Sequence, residues 1–171
     1  MRRVAVQLAS DAIHHMVDGT TTTTTFGRRN GTANYSKTIR CVVDEVSERH
    51  SMAFEGIIRR LNINPTATTE DVQRICRRTI TGVGDDLFAD GHYNWGRIVT
   101  LFTFAGWLAR SYRSECSDII ADVAGEYIIN KLSNWICEQG GWVSLLCCTR
   151  SLYVENEDWH LAFASATVFR E

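Results

Sequence analysis

At 171 residues, 44% hydrophobic and 22% charged, with 18 basic against 20 acidic side chains, the sequence has the profile of a globular domain that buries roughly 70% of its unfolded surface. A core of that size needs neither disulfide nor metal, so one domain spanning residues 1–171 is expected. A formal net charge of −2 excludes the broad basic surface that nucleic-acid phosphates or anionic lipid would require.

Apolar residues recur at three- and four-residue spacing from end to end and the chain holds one proline, which predicts an all-α fold. A first amphipathic helix is expected over about 4–17, with Leu8, Ala12, Ile13 and Met16 as its stripe, ending at Gly19. The threonine run 20–25 and the glycine-bounded stretch after it offer nothing to pack, so residues 20–32 read as a flexible loop. The next helix begins near Ala33. It carries Tyr35, Ile39, Val42 and Val46, which at offsets of 0, 4, 7 and 11 fall within about 60° of arc. A separate helix over 52–61 carries Phe54, Ile57, Ile58 and Leu61 and stops at the turn containing Pro65. Thr68, three residues ahead of Asp71, signals the cap of a helix running through Val72, Ile80, Val83 and Leu87, in which Gly82 and Gly84 leave room for a bend or a break. Asn94 is a good N-cap for a helix reaching about Ser111, apolar on nearly all sides and therefore enclosed by others. Its longest charge-free apolar stretch, 98–109, is short of the roughly 20 residues that a membrane span takes. A second inner helix is expected over 116–132, then a short helix, a glycine turn and another short helix around 135–142. A last amphipathic piece spans about 157–169.

The six cysteines form no C-x-x-C pair and have no histidine at zinc-ligand spacing, so free, mostly buried thiols in a reducing compartment are expected. The vicinal pair Cys147 and Cys148 offers acylation or redox chemistry, but beside Leu145 and Leu146 the reading that it fills apolar space is preferred and no role is assigned. Ser10, Asp11, His14 and His15 interrupt the apolar run that a signal peptide would need after Met1-Arg2-Arg3, so none is read and a cytoplasmic location is expected. No Walker-type loop, G-x-S-x-G or H-E-x-x-H occurs and the histidines are scattered, so neither enzymatic activity nor a metal or other cofactor is expected.

Residues 86–99, Asp-Leu-Phe-Ala-Asp-Gly-His-Tyr-Asn-Trp-Gly-Arg-Ile-Val, resemble the first homology region of the Bcl-2 (B-cell lymphoma 2) family of apoptosis regulators. Trp135 to Trp142 resembles the second region at the family's spacing, and Tyr35 to Val46, with Asp44, resembles the third (BH3). Around Val6 to Met16 there is a match to the fourth. The stretch 51–61 and the eight-residue form Asp90 to Arg97 are most similar to the Mcl-1 (myeloid cell leukaemia) subgroup. Val43 departs from the small residue usual in the third region, which makes this helix a poor ligand for a partner's groove. Val143 stands where an acidic residue often comes after the second tryptophan.

The resemblance implies a bundle of about eight or nine helices around a central apolar helix, with a surface groove that accepts a partner's amphipathic BH3 helix through anchors at i, i+4, i+7 and i+11. Carried over position by position, Ala53, Phe54, Ile57 and Leu61 would line one wall, Val83 and Leu87 the other, and Thr100, Leu101 and Phe104 the floor. Arg97 would meet the ligand's aspartate with its guanidinium fork, Asn94 would bond the ligand nearby, and Gly96 would let the ligand helix approach closely. The plain alternative makes Asn94 an N-cap, Gly96 a packing contact, Trp95 a core residue and Arg97 a surface charge. The implied partners are the BH3 helices of pro-apoptotic relatives, both multidomain executioners and BH3-only proteins, and the implied role is pro-survival sequestration. The alternative is a pore-forming executioner of the same fold that permeabilises the outer mitochondrial membrane. Many members carry a hydrophobic tail anchor, whereas this chain stops at Glu171. Association with the outer mitochondrial or endoplasmic-reticulum membrane is expected only if the full-length protein has such a tail.

Overall fold

The helix that the sequence makes apolar on every side becomes the axis of the fold. A computed structural model describes residues 1–18, 32–61, 63–64 and 67–148. They form α1 (Arg2–Asp18), α2 (Thr32–Arg60), α3 (Thr69–Leu87), α4 (Trp95–Arg110), a 3-10 turn (Ser114–Cys116), α5 (Ser117–Glu138) and α6 (Val143–Cys148). No strand occurs among the described residues. Nearly the whole of α4 is buried, from Trp95 and Ile98 through Phe102 and Phe104 to Leu108, and α1, α2, α3 and α5 all pack against it. Its two threonines satisfy their hydroxyls within the helix, Thr100 donating to the Gly96 carbonyl and Thr103 to that of Val99, each at 2.9 Å. They therefore sit in the core without an orphaned donor.

The helix count is lower than expected, six α-helices among the described residues rather than eight or nine. Two pairs of expected helices are continuous. Residues 47–51 are polar but contain no glycine or proline, and α2 runs through them with an Arg49–Glu45 ion pair at 2.7 Å on its surface. His50 turns inward, only 4% exposed, and sets its ring edge-on to Phe54. Likewise nothing between Leu132 and Trp135 breaks a helix, and α5 continues to Glu138. It ends where Gly140 and Gly141 adopt φ of +84° and +78°, conformations that side chains with a Cβ rarely take.

The stripe expected on α1 faces the core, with Leu8, Ala12 and Ile13 buried and Met16 packed at the margin. Ile39, Val42, Val43 and Val46 of α2 are buried as well. Thr68 caps α3, its hydroxyl oxygen accepting the Asp71 N–H at 3.2 Å. Gly84 does not break α3. A Cβ there would lie 2.4 Å from the Tyr127 ring, so the glycine lets α3 and α5 approach closely. The Tyr127 hydroxyl then donates to Asp85 at 3.0 Å, and Lys131 reaches the same carboxylate at 3.1 Å. Of the described cysteines, Cys76 and Cys116 are buried, but Cys41 and Cys137 are exposed, contrary to the expectation of mostly buried thiols. Burial, with Cys116 beside it, pushes the Cys76 thiol up to about 12 and keeps it protonated. Of the expected loop at 20–32, Thr32 instead opens α2 and the rest lies outside the described residues, as do the turn at Pro65, the amphipathic piece at 157–169 and the side chains of Tyr35, Cys147 and Cys148. No helix among the described residues is long and apolar enough to cross a membrane.

Candidate functional site

Three elements supply the residues that the resemblance singles out. From α2 come Ala53, Phe54 and Ile57, with Leu61 just beyond its last turn; from α3 come Val83 and Leu87; from α4 come Gly96, Arg97, Thr100, Leu101 and Phe104. Both α2 and α3 pack against α4. Phe54 lies 6.0 Å from Phe104 in a tilted ring pair and 6.1 Å from Trp107, so the expected wall rests directly on the expected floor. Phe54, Ile57, Val83, Leu87, Thr100, Leu101 and Phe104 are all buried. Gly96 is buried too, while Ala53, Leu61, Asn94 and Arg97 keep partial exposure. Beside them Met52 is 87% exposed.

The structure thus gathers an apolar layer from α2, α3 and α4, but the layer is closed, with all of its residues except Ala53 and Leu61 buried in the core. Only the rim can be reached from outside. Closing costs nothing in buried polar groups, because the residues concerned are apolar or, like Thr100, internally satisfied.

The rim is organised around Arg97. Asn94 caps α4 by accepting the Arg97 N–H on its side-chain oxygen at 2.8 Å, as the local reading of the sequence expected. That places Arg97 on the first turn of α4, with its side chain 14% exposed. The guanidinium folds back over the connection between α3 and α4. Nη1 bonds Asp90 Oδ1 at 2.5 Å and Nη2 bonds Oδ2 at 2.7 Å, a two-pronged ion pair. Nη1 also reaches the carbonyls of Leu87 at 3.0 Å and His92 at 2.8 Å. Asp90 further accepts the His92 N–H at 2.9 Å. The guanidinium foremost, with the His92 N–H and charge in support, holds the Asp90 carboxyl well below the usual carboxylate range. Asp90 received no role in the sequence reading. The signal for it was local: an acid seven residues before an arginine, with a glycine turn between, puts opposite charges on one short connection.

The tryptophans of the two homology regions meet behind this rim. Trp95, the first residue of α4, lies 5.1 Å from the Trp135 ring and 5.4 Å from that of Trp142, and Tyr93 bridges Trp135 to Phe88 at 6.4 and 5.8 Å. This aromatic cluster joins the start of α4 to the end of α5, and so fixes the position from which Asn94 and Arg97 project.

Elsewhere on the bundle, α1 is held by two histidines. His14 contacts Asp18 at 3.5 Å and Asp118 of α5 at 3.0 Å, while His15 contacts Asp44 of α2 at 2.8 Å. The aspartate of the BH3-like segment is therefore engaged within the chain.

The sequence matches the family described as "Apoptosis regulator proteins, Bcl-2 family" over residues 39–142, more than half of the chain. It is 38% identical over 74 residues to apoptosis regulator BAX of Mus musculus, a stretch covering 41% of this chain and 38% of that one. It is 31% identical over 114 residues to Bcl-2-like protein 1 of Sus scrofa, covering 64% and 45%. Over 108 residues it is 32% identical to apoptosis regulator Bcl-2 of Gallus gallus, covering 61% and 42%. Each match spans less than half of the relative's own length. Among solved structures, the pro-survival protein NRZ of zebra-fish, determined in complex with Bad BH3, shares the fold with a TM-score of 0.64 at 23% identity, over 85% of this chain and 92% of that one.

Proposed function

Because this chain belongs to the Bcl-2 family of apoptosis regulators, we propose that it is a pro-survival member that captures the BH3 helices of pro-apoptotic relatives between α2, α3 and α4. The observation that carries the reading is the placement of Arg97, a partly exposed guanidinium at the first turn of the central helix, next to an apolar layer supplied by three elements. A helix bearing one acid and four apolar anchors is the complement of that arrangement. Ala53, Phe54, Ile57 and Leu61 would give one wall, Val83 and Leu87 the other, Thr100, Leu101 and Phe104 the floor, with Asn94 and Gly96 beside the ligand's acid. We place the chain nearest the Mcl-1-like members, on residues 51–61 and the spacing from Asp90 to Arg97. Its work would then be done in the cytoplasm, and at the outer mitochondrial or endoplasmic-reticulum membrane if the full-length protein has a tail anchor.

Since the layer is closed, binding involves parting α2 from α4 and replacing contacts such as Phe54 on Phe104 by ligand side chains. Calorimetric titration with BH3 peptides tests the reading. Nanomolar binding, about −12 kcal/mol, is expected, with Arg97→Ala weakening it by roughly 2–4 kcal/mol. An unchanged affinity in the variant would remove Arg97 from the role assigned to it, and no binding to any peptide would remove the groove.

A second reading, a pore-forming executioner, is favoured by the similarity to BAX over 74 residues. Against it stands Val43, fully buried in the core, on the segment that an executioner would have to display. Dye release from liposomes after addition of a BH3 peptide would establish the executioner; retention of dye with tight peptide binding would establish the guardian.

A further inference from the structure

Arg97 is not waiting for a ligand's carboxylate; it already holds one. We propose that Asp90 is a built-in competitor for the ligand's acid, so that binding at the rim is an exchange of one carboxylate for another and residue 90 sets the affinity and selectivity of the groove. The inference rests on the reading that this face takes an acid-bearing helix, and adds to it the residue that tunes the contact.

Asp90 occupies the Nη1/Nη2 edge of the guanidinium. Nη1 carries two hydrogens and faces three acceptors: Asp90 Oδ1, the Leu87 carbonyl and the His92 carbonyl, at 2.5, 3.0 and 2.8 Å. Nη2 gives its best-placed hydrogen to Asp90 Oδ2 at 2.7 Å. The Nη1/Nη2 edge is therefore taken, and a second carboxylate brought to the guanidinium, at this edge or at the Nε side, would stand against the negative charge of Asp90. Displacement is mechanically easy. Asp90 is 48% exposed and lies on a short connection, with Gly91 next to it at φ +73° and nothing within 4 Å of the place where a Cβ would sit on that glycine. Asp90 also accepts the His92 N–H at 2.9 Å and lies 3.5 Å from the His92 ring, partners close at hand for a carboxylate that gives up Arg97. Leu87 and His92 still hold the guanidinium by their carbonyls, so Arg97 stays at the rim while its carboxylate partner changes.

A ligand acid is rewarded only by the difference between its own pairing and that of Asp90, which lowers the affinity for every acid-bearing helix. Removing the Asp90 charge should restore the full interaction, and only for ligands that have the acid.

The test is a titration of the whole chain with a BH3 peptide and with the same peptide carrying asparagine in place of its aspartate. Three variants are compared with the unaltered protein. Asp90→Asn removes the charge and keeps an acceptor for the His92 N–H; Asp90→Ser does the same with a shorter side chain and guards against a folding defect in the first. Asp122→Asn, exposed on α5, makes the same change in net charge elsewhere. The expected result is tightening of about five- to thirty-fold for the aspartate peptide with both residue-90 variants, and less than about two-fold for the asparagine peptide and for Asp122→Asn. Unchanged or weakened binding would overturn the proposal by making Asp90 a support for Arg97. Equal tightening with both peptides, or with Asp122→Asn, would overturn it in favour of bulk charge. Absence of binding in every form would instead bring down the groove reading, and this inference with it.

Discussion

At Gly125 the smallest side chain decides how near two helices come. A Cβ there would lie 2.8 Å from the Val6 Cα and 2.9 Å from its nitrogen, so α1 would have to move away from α5. Gly125→Ala is expected to destabilise the protein by about 2–3 kcal/mol in urea unfolding, the range for overfilling a packed interface. Gly106→Ala should cost less, because the atom it meets is the Met16 sulfur, at the swinging end of a flexible side chain. At Gly56 nothing lies within 4 Å of the added methyl, and Gly56→Ala should stabilise α2 by about 0.5–1 kcal/mol through helix propensity and the unfolded chain. Three glycines in three helices are thus separable by one measurement, and identical destabilisation in all three would refute a packing origin. None of this was legible in the sequence, where Gly84 read as a weak point and Gly125 carried no signal, because a glycine's neighbour lies on another helix. Asn94 shows the opposite case: its capping bond is local, and the sequence predicted it.

Between elements, the chain's stripes told which faces turn inward, and α1, α3 and α4 were legible at nearly their observed bounds. Continuity was harder to see. The expected break in α2 sat on polar residues, yet His50 keeps the apolar register and only its ring chemistry hides it. Contacts across helices were also invisible, among them the clasp of α1 by His14. Burial pulls that imidazole's pKa down, but hydrogen bonds and charge from Asp118 and Asp18 outweigh it, so the net shift is upward from 6.5. A raised folded pKa means that folding favours the protonated form. The stabilisation is complete below the ordinary value and is lost as the pH rises through the raised one. Melting temperature should therefore fall more steeply between about pH 6 and about pH 8 in the unaltered protein than in His14→Gln, in which this group no longer titrates. Parallel slopes would show that His14 contributes nothing to the pH dependence.

At the scale of the molecule, the binding face proposed above lies over a layer of largely buried side chains. With Phe54 on Phe104 and most of the apolar layer buried, the binding proposed above would need α2 to yield before a ligand helix could dock. Association with a BH3 peptide is expected below the usual range of about 10⁵–10⁷ per molar per second in stopped-flow mixing, and the observed rate should level off at high peptide concentration. A rate that climbs linearly at ordinary speed would mean that the layer opens too readily to count as closed. The family was legible because its motifs are local runs of sequence, whereas the closed layer depends on side chains far apart along the chain. The placement of the indole rings gives such a reaction two separate optical signals. Trp107 donates to Ser47 at 2.9 Å and flanks Phe54, so its emission reports the seam between α2 and α4. Trp95 lies within exciton-coupling distance of both Trp135 and Trp142 at the other end of α4, and the near-ultraviolet dichroism of these rings reports that junction instead. A chain that opens at one seam while the other holds would change colour, so to speak, in only one of its two windows.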